Sequence, residues 1–120
     1  MAVKVVMPRI NRVEVVGRLV DDAQKRGENF LVFRIAVPNR YRDKDGNWKD
    51  DTTFLDVRYN QTGILDGLKK GTAVYVSGSM RQDEWTDKSG NKRVSYYIRA
   101  ERVQILTREE VEVAHGESEG

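Results

Sequence analysis

The sequence predicts an all-β domain: a small closed or nearly closed barrel of five strands, with one short helical connection and two long β-hairpin arms. Three observations carry this reading. Apolar residues alternate with polar ones at period two in five separate segments, all enriched in β-branched and aromatic side chains. Only one stretch, "TGILDGLKKG", has helical spacing. Five short strands left as an open sheet would expose unpaired edges, and closure removes them.

Each element follows from its own residues. "NRVEVVGRLV" sets Val13 and Val15 on one side of a first strand, with Gly17 marking a bulge or bend. In "FLVFRIAV", Leu31, Phe33, Ile35 and Val37 form the core face, opposite Phe30, Val32, Arg34 and Ala36. Phe30 is read as structural. "TFLDVRY" turns Leu55, Val57 and Tyr59 inward and Phe54, Asp56 and Arg58 outward. The helical stretch offers Ile64, Leu65 and Leu68 as a stripe of barely two turns, ended by Gly71 in the left-handed region. "TAVYVSGSMR" and "RVSYYIRAERVQIL" complete the five strands. Tyr96 and Tyr97 are neighbours, so one of them must face inward.

A chain of 120 residues has room for one modest core. The domain is assigned to residues 1–106 and a short acidic flexible tail to 107–120. That tail carries one basic residue, Arg108, and five glutamates. Against totals of 21 basic and 19 acidic residues, Met1–Leu106 therefore holds 20 and 14, a basic body suited to a polyanion. Without cysteine there is no disulfide or thiolate chemistry. "MAVKVVM" is too short for a signal-peptide core, and no apolar run approaches a membrane span.

Nothing marks a catalyst. His115, the only histidine, lies in the acidic tail, and no nucleotide-loop, nucleophile-elbow or zinc-protease motif occurs. "DKDGN" lacks the glycine and glutamate spacing of a calcium loop, whereas Asp and Asn around Gly suit a tight turn. No enzyme activity, metal or cofactor is expected.

"YRDKDGNWK" and "WTDKSGNKR" echo one another, with Tyr41 matching Trp85, Asp43 matching Asp87, Lys44 matching Lys88, Gly46 matching Gly90 and Asn47 matching Asn91. Both carry hairpin-turn chemistry, so two arms present rings and charge in the same order. Single-strand binders combine a positive path for phosphates with exposed rings for bases. The candidate rings are Tyr41, Phe54 and Trp85. Trp48 either packs across its hairpin on Tyr41 or stacks on a base. The candidate phosphate contacts are Arg40, Arg42, Lys44, Lys49, Arg58, Arg81, Lys88 and Lys92.

The blocks "NRVEVVGRL", "FRIAVPNRYRDKDGNWKDDTTFLDV", "LKKGTAVYVSGSMR" and "WTDKSGNKR" together resemble the bacterial single-stranded DNA-binding proteins, from about Ile10 to Leu106. The resemblance implies an OB-fold, single-stranded DNA as partner, no catalysis, no cofactor, and a cytoplasmic, nucleoid-associated setting in replication, repair and recombination. It implies a homo-oligomer, with a tetramer favoured over a dimer. By position it adds Lys70 to the DNA path, alongside Lys44 and Arg81, and gives Asn11 and Gly17 a share in subunit contacts. Alternatives of another class are an OB module acting through protein contacts, as in primosome accessory proteins, and a single-stranded RNA binder.

Three departures qualify the resemblance. Asn60, Gln61 and Thr62 stand where the family has an aromatic and a basic residue, so one platform is missing or replaced by Tyr59. Asp56, Asp83 and Glu84 occupy places where basic residues are frequent, which predicts weaker affinity. "EEVEVAHGESEG" ends without the family's apolar anchor, leaving tail-mediated docking of replication and repair proteins unsupported.

Overall fold

The structure is a computed structural model and describes residues 2–106. The expected acidic tail, with His115, lies outside the described residues. Six strands are present among the described residues: β1 (Val13–Leu19), β2 (Gln24–Arg26), β3 (Phe30–Arg42), β4 (Trp48–Tyr59), β5 (Ala73–Thr86) and β6 (Lys92–Leu106).

Five of them close a barrel in the order β1, β5, β6, β4, β3 and back to β1. Closure rests on two short seams. β1 leaves β5 and joins β3 through Arg18↔Ala36 and Leu19↔Ile35. β4 and β6 run parallel through Val57↔Ile98, Arg58↔Arg99 and Tyr59↔Ala100. The expected barrel is thus observed. The three-residue β2, pairing with the start of β3, was not foreseen, because its residues are all exposed and leave no alternation to detect.

The alternating residues fill the interior. Leu31, Ile35, Val57, Val74, Val76 and Ile98 are fully buried, one or two from each of four strands. Leu68 is also fully buried, and its carbonyl accepts the Ala23 N–H at 2.9 Å. The connection before β5 is a 3-10 helix over Thr62–Gly67, tighter than the α-helical turns expected. Leu68 ends it by turning into the core with φ −98° and ψ 77°. Gly71, expected as the helix cap, has φ +87° and shapes the following turn, where Thr72 N–H donates to the Lys69 carbonyl at 2.9 Å.

Two glycines permit the close approaches of closure. A Cβ on Gly17 would sit 2.6 Å from the Ala36 carbonyl oxygen, so the predicted bend is where β1 crosses onto β3. A bulge lies elsewhere: pairing jumps from Ser77↔Arg102 to Gly78↔Ala100, leaving Glu101 as the extra residue of β6. Asn11 extends β1 with its side chain, donating to the Met80 carbonyl at 2.9 Å and accepting the Met80 N–H at 2.8 Å.

Beyond the barrel, β3–β4 and β5–β6 continue as two hairpin arms, paired without interruption to Arg42↔Trp48 and Thr86↔Lys92. No helix among the described residues is long and apolar enough to cross a membrane.

Candidate nucleic-acid interface

Cross-strand partners share a face, so the pairing register sorts every candidate side chain. Along β3–β4, from barrel to arm, Arg34↔Asp56, Ala36↔Phe54, Arg40↔Asp50 and Arg42↔Trp48 all lie on the outer face that continues from Val32↔Arg58. Along β5–β6, Arg81↔Tyr97, Asp83↔Ser95 and Trp85↔Arg93 lie on the outer face. The parallel pair Arg58↔Arg99 joins the two into one surface.

That surface gathers Arg40, Arg42, Trp48, Phe54, Arg58, Arg81 and Trp85 from the predicted set. Phe54, Trp48 and Trp85 are half exposed, at 51%, 58% and 49%. Guanidinium groups attend two of them: Arg34 lies 5.4 Å from the Phe54 ring, and Arg40 and Arg42 lie 5.3 and 5.6 Å from Trp48. Such exposed cation–π contacts contribute about 0.5–1 kcal/mol each.

Other predicted residues are placed apart. Tyr41 pairs with Lys49 on the reverse face of the first arm. Of the two alternatives for Trp48, packing across the hairpin on Tyr41 is not formed, because Trp48 stands opposite Arg42. Lys92 pairs with Thr86 on the reverse face of the second arm. Lys44 and Lys88 sit at the arm tips, and Lys70 lies in the loop before β5, its N–H donating to Asp22 Oδ1 at 2.7 Å.

The echo seen in sequence is reproduced in detail at the tips. Asp43 N–H donates to the Asn47 carbonyl at 2.9 Å, as Asp87 N–H does to Asn91 at 2.9 Å. Gly46 and Gly90 both have φ +84°. Asp43 Oδ1 accepts the N–H groups of Asp45 and Asn47, and Asp87 Oδ1 those of Ser89 and Asn91. The aspartates thus perform turn chemistry. Among the described residues no group of three or more acidic, histidine or cysteine side chains could hold a metal ion.

Asp87 is held below the ordinary carboxylate value of 3.8, first by the Asn91 N–H, then by the Arg93 side chain, with partial desolvation opposing and the Ser89 N–H adding. Because the folded-state value is depressed, its contribution to the tip is complete above 3.8 and is lost as pH falls through the lower folded value. The Asn91 amide resonance should accordingly stay fixed from neutral pH to about pH 4 and move only below it. Movement near pH 5 would contradict this assignment.

Sequence reasoning missed part of the outer face. Neither Tyr96 nor Tyr97 enters the core: Tyr97 lies half-buried on the outer face beneath Arg58, and Tyr96 is 60% exposed on the reverse face of the second arm. Tyr59 turns inward and packs half-buried against the core, so it does not replace an outer platform. The out-of-place aspartates also have partners. Asp56 pairs with Arg34 at 3.6 Å and Asp83 with Arg58, while Asp50 and Asp87 pair with Arg40 and Arg93. Their charges neutralise local arginines.

A closed five-stranded barrel with this strand order, bearing rings and guanidinium groups along two projecting arms, has the build of an OB-fold nucleic-acid-binding protein. The family model described as "Single-strand binding protein family" matches residues 10–106, and the chain belongs to that family. It is 33% identical over 103 residues to a single-stranded DNA-binding protein of Wolinella succinogenes, covering 80% of this chain and 64% of that one. It is 32% identical over 110 residues to single-stranded DNA-binding protein 2 of Chlorobaculum tepidum, covering 85% and 74%. The chain thus spans just under two thirds of the Wolinella protein's length. Among solved structures, a small single-stranded DNA-binding protein from Streptomyces coelicolor aligns with TM-score 0.64 and 27% identity, over 83% of this chain and 96% of that one. The Plasmodium falciparum SSB in complex with ssDNA shares the fold, with TM-score 0.75 and 19% identity, over 86% of this chain and 100% of that one.

Proposed function

We propose that this chain binds single-stranded DNA with little sequence preference, by base stacking and phosphate contact, and acts by binding and not by catalysis. The observation that carries the reading is the single outer surface on which Trp48, Phe54 and Trp85 are half exposed among arginines. Stacking uses the π-face common to every base, so it is tolerant of sequence. Arg40, Arg42, Arg58 and Arg81 serve phosphates on that surface. Lys44 and Lys88 meet the backbone at the tips. Tyr41, Lys49 and Lys92 engage a strand that passes around the edge of an arm, and Lys70 one that leaves along the barrel.

Bound this way, the protein protects single strands in replication, repair and recombination, and it associates with the nucleoid. Family membership supports a homo-oligomer, a tetramer before a dimer. Native mass, measured with and without a long oligothymidine, gives subunit number and stoichiometry together.

The test is a titration with oligothymidine followed by tryptophan fluorescence. Quenching is expected, with log K falling by about 0.7 per phosphate contacted for each decade of salt. Absence of quenching at low salt, or affinity indifferent to salt, would refute the reading.

A further inference from the structure

Arg58 on β4 reaches across β6 to Asp83 on β5. Among the described residues this is the one ion pair between strands that are not neighbours in the barrel. On the way its guanidinium lies 3.9 Å from the centroid of the Tyr97 ring, closer than at any other ring with a guanidinium over it. The side chain thus covers one face of an aromatic that stands on the same outer surface as Trp85.

Arg58 also stands in a partition. A groove of about 560 Å³ lies on one side, bordered by Arg34, Asp56 and Ser95. A smaller one of about 270 Å³ lies on the other, bordered by Asn60 and Arg99. Phe30, Arg58 and Tyr97 line both. Of these three, Arg58 lies over the Tyr97 ring, so moving it would bare that ring between the two grooves.

The energetics favour such a movement. Arg58 and Asp83 keep 38% of their side-chain surface in water, where an ion pair contributes little to stability. Asp83 engages the guanidinium through one oxygen, Oδ2 on Nη2, whereas a phosphate can take it in a bidentate fork. Asp83 is therefore a partner that a phosphate can replace, and Tyr97 is the surface uncovered when it does.

We propose that Arg58, Asp83 and Tyr97 form a latched nucleotide subsite: a DNA phosphate draws Arg58 from Asp83, and the adjoining base stacks on the Tyr97 face that Arg58 had covered. Phe30 lines both grooves beside it. This rests on the single-strand-binding reading and adds to it a platform and a reason for the acidic residue. Asp83 sets how readily the subsite opens.

The experiment is a set of anisotropy titrations of labelled oligothymidine with Tyr97→Leu, Tyr97→Phe, Asp83→Asn, Glu84→Gln and Trp85→Ala variants, each checked for folding by circular dichroism. Tyr97→Leu is expected to weaken binding by about 5- to 150-fold, the loss of one stacked base, without changing the salt slope. Tyr97→Phe restores the ring and the affinity. Asp83→Asn is expected to tighten binding by up to about 5-fold, more than Glu84→Gln, which removes the same charge from the reverse face of the arm. The salt slope should stay as in wild type, because Arg58 meets the same phosphate in both complexes. If Trp85→Ala loses affinity while Tyr97→Leu matches wild type, and Asp83→Asn exceeds Glu84→Gln in nothing, the subsite is refuted and the general reading stands. If wild type itself fails to bind, both fall. Should Tyr97→Leu fail to fold, the Asp83→Asn and Glu84→Gln comparison decides alone.

Discussion

Replacing both Phe54 and Trp85 with alanine is expected to weaken oligothymidine binding by about 2–6 kcal/mol, two platforms at about 1–3 kcal/mol each. The two rings come from different strand pairs, β3–β4 and β5–β6, yet they share the outer surface and are each about half exposed. Neither belongs to the buried core, so the barrel should remain intact. The salt slope should not change, because the rings release no counterions. Arg34, now without the Phe54 ring beneath it, keeps Asp56 as its partner. Titration by anisotropy at two salt concentrations gives both quantities. A combined loss below tenfold would show that the strand runs elsewhere.

The second large effect is structural. Gly78→Ala is expected to destabilise the fold by about 3 kcal/mol, at the upper end of ordinary overpacking. The added Cβ would lie 2.0 Å from the Arg99 carbonyl oxygen and 2.8 Å from Ala100 Cα. Both are backbone atoms, so no side chain can swing aside. They belong to the stretch of β6 that pairs with β4 to close the barrel, and relief must come from opening that seam. Gly63→Ala is the control: nothing lies within 4 Å of its Cβ position and its φ is not positive, so its effect should stay within about 0.5 kcal/mol. Urea midpoints for both variants, at equal slope, test the contrast.

The barrel was legible because its strands alternate where they are half-buried. Leu31, Phe33 and Ile35 lie inside as their spacing demands. Tyr97 was illegible for a specific reason. Counting back from the packed Val103 and Ile105 puts it inside, whereas counting from Ile98 puts it outside. The bulge at Glu101 switches the parity between them, and it lies beside a close approach of Gly78 to Arg99 and Ala100 that no local pattern encodes. The opposition of Tyr41 and Trp48 was hidden for a related reason. Their register depends on the tip closing over Asp43–Asn47, which fixes Arg42 against Trp48. The pairing of Asp83 with Arg58 was beyond reach, since it joins strands separated by a third.

The matched tips have a consequence for how the arms can vary. Each tip closes through hydrogen bonds among its own five residues, Asp43–Asn47 or Asp87–Asn91, with one flanking arm arginine added (Arg42 on the Gly46 carbonyl, Arg93 on Asp87), and takes nothing from the barrel. A tip of this kind can be carried on a hairpin of any length. Arm length is then an adjustable dimension, but one that moves in quanta. Deleting a single cross-strand pair would turn the tip and all beyond it to the opposite side. Deleting two pairs shortens the arm by about 7 Å and restores the original orientation. Reach along a nucleic-acid strand can therefore be reset in two-pair steps without redesigning the barrel.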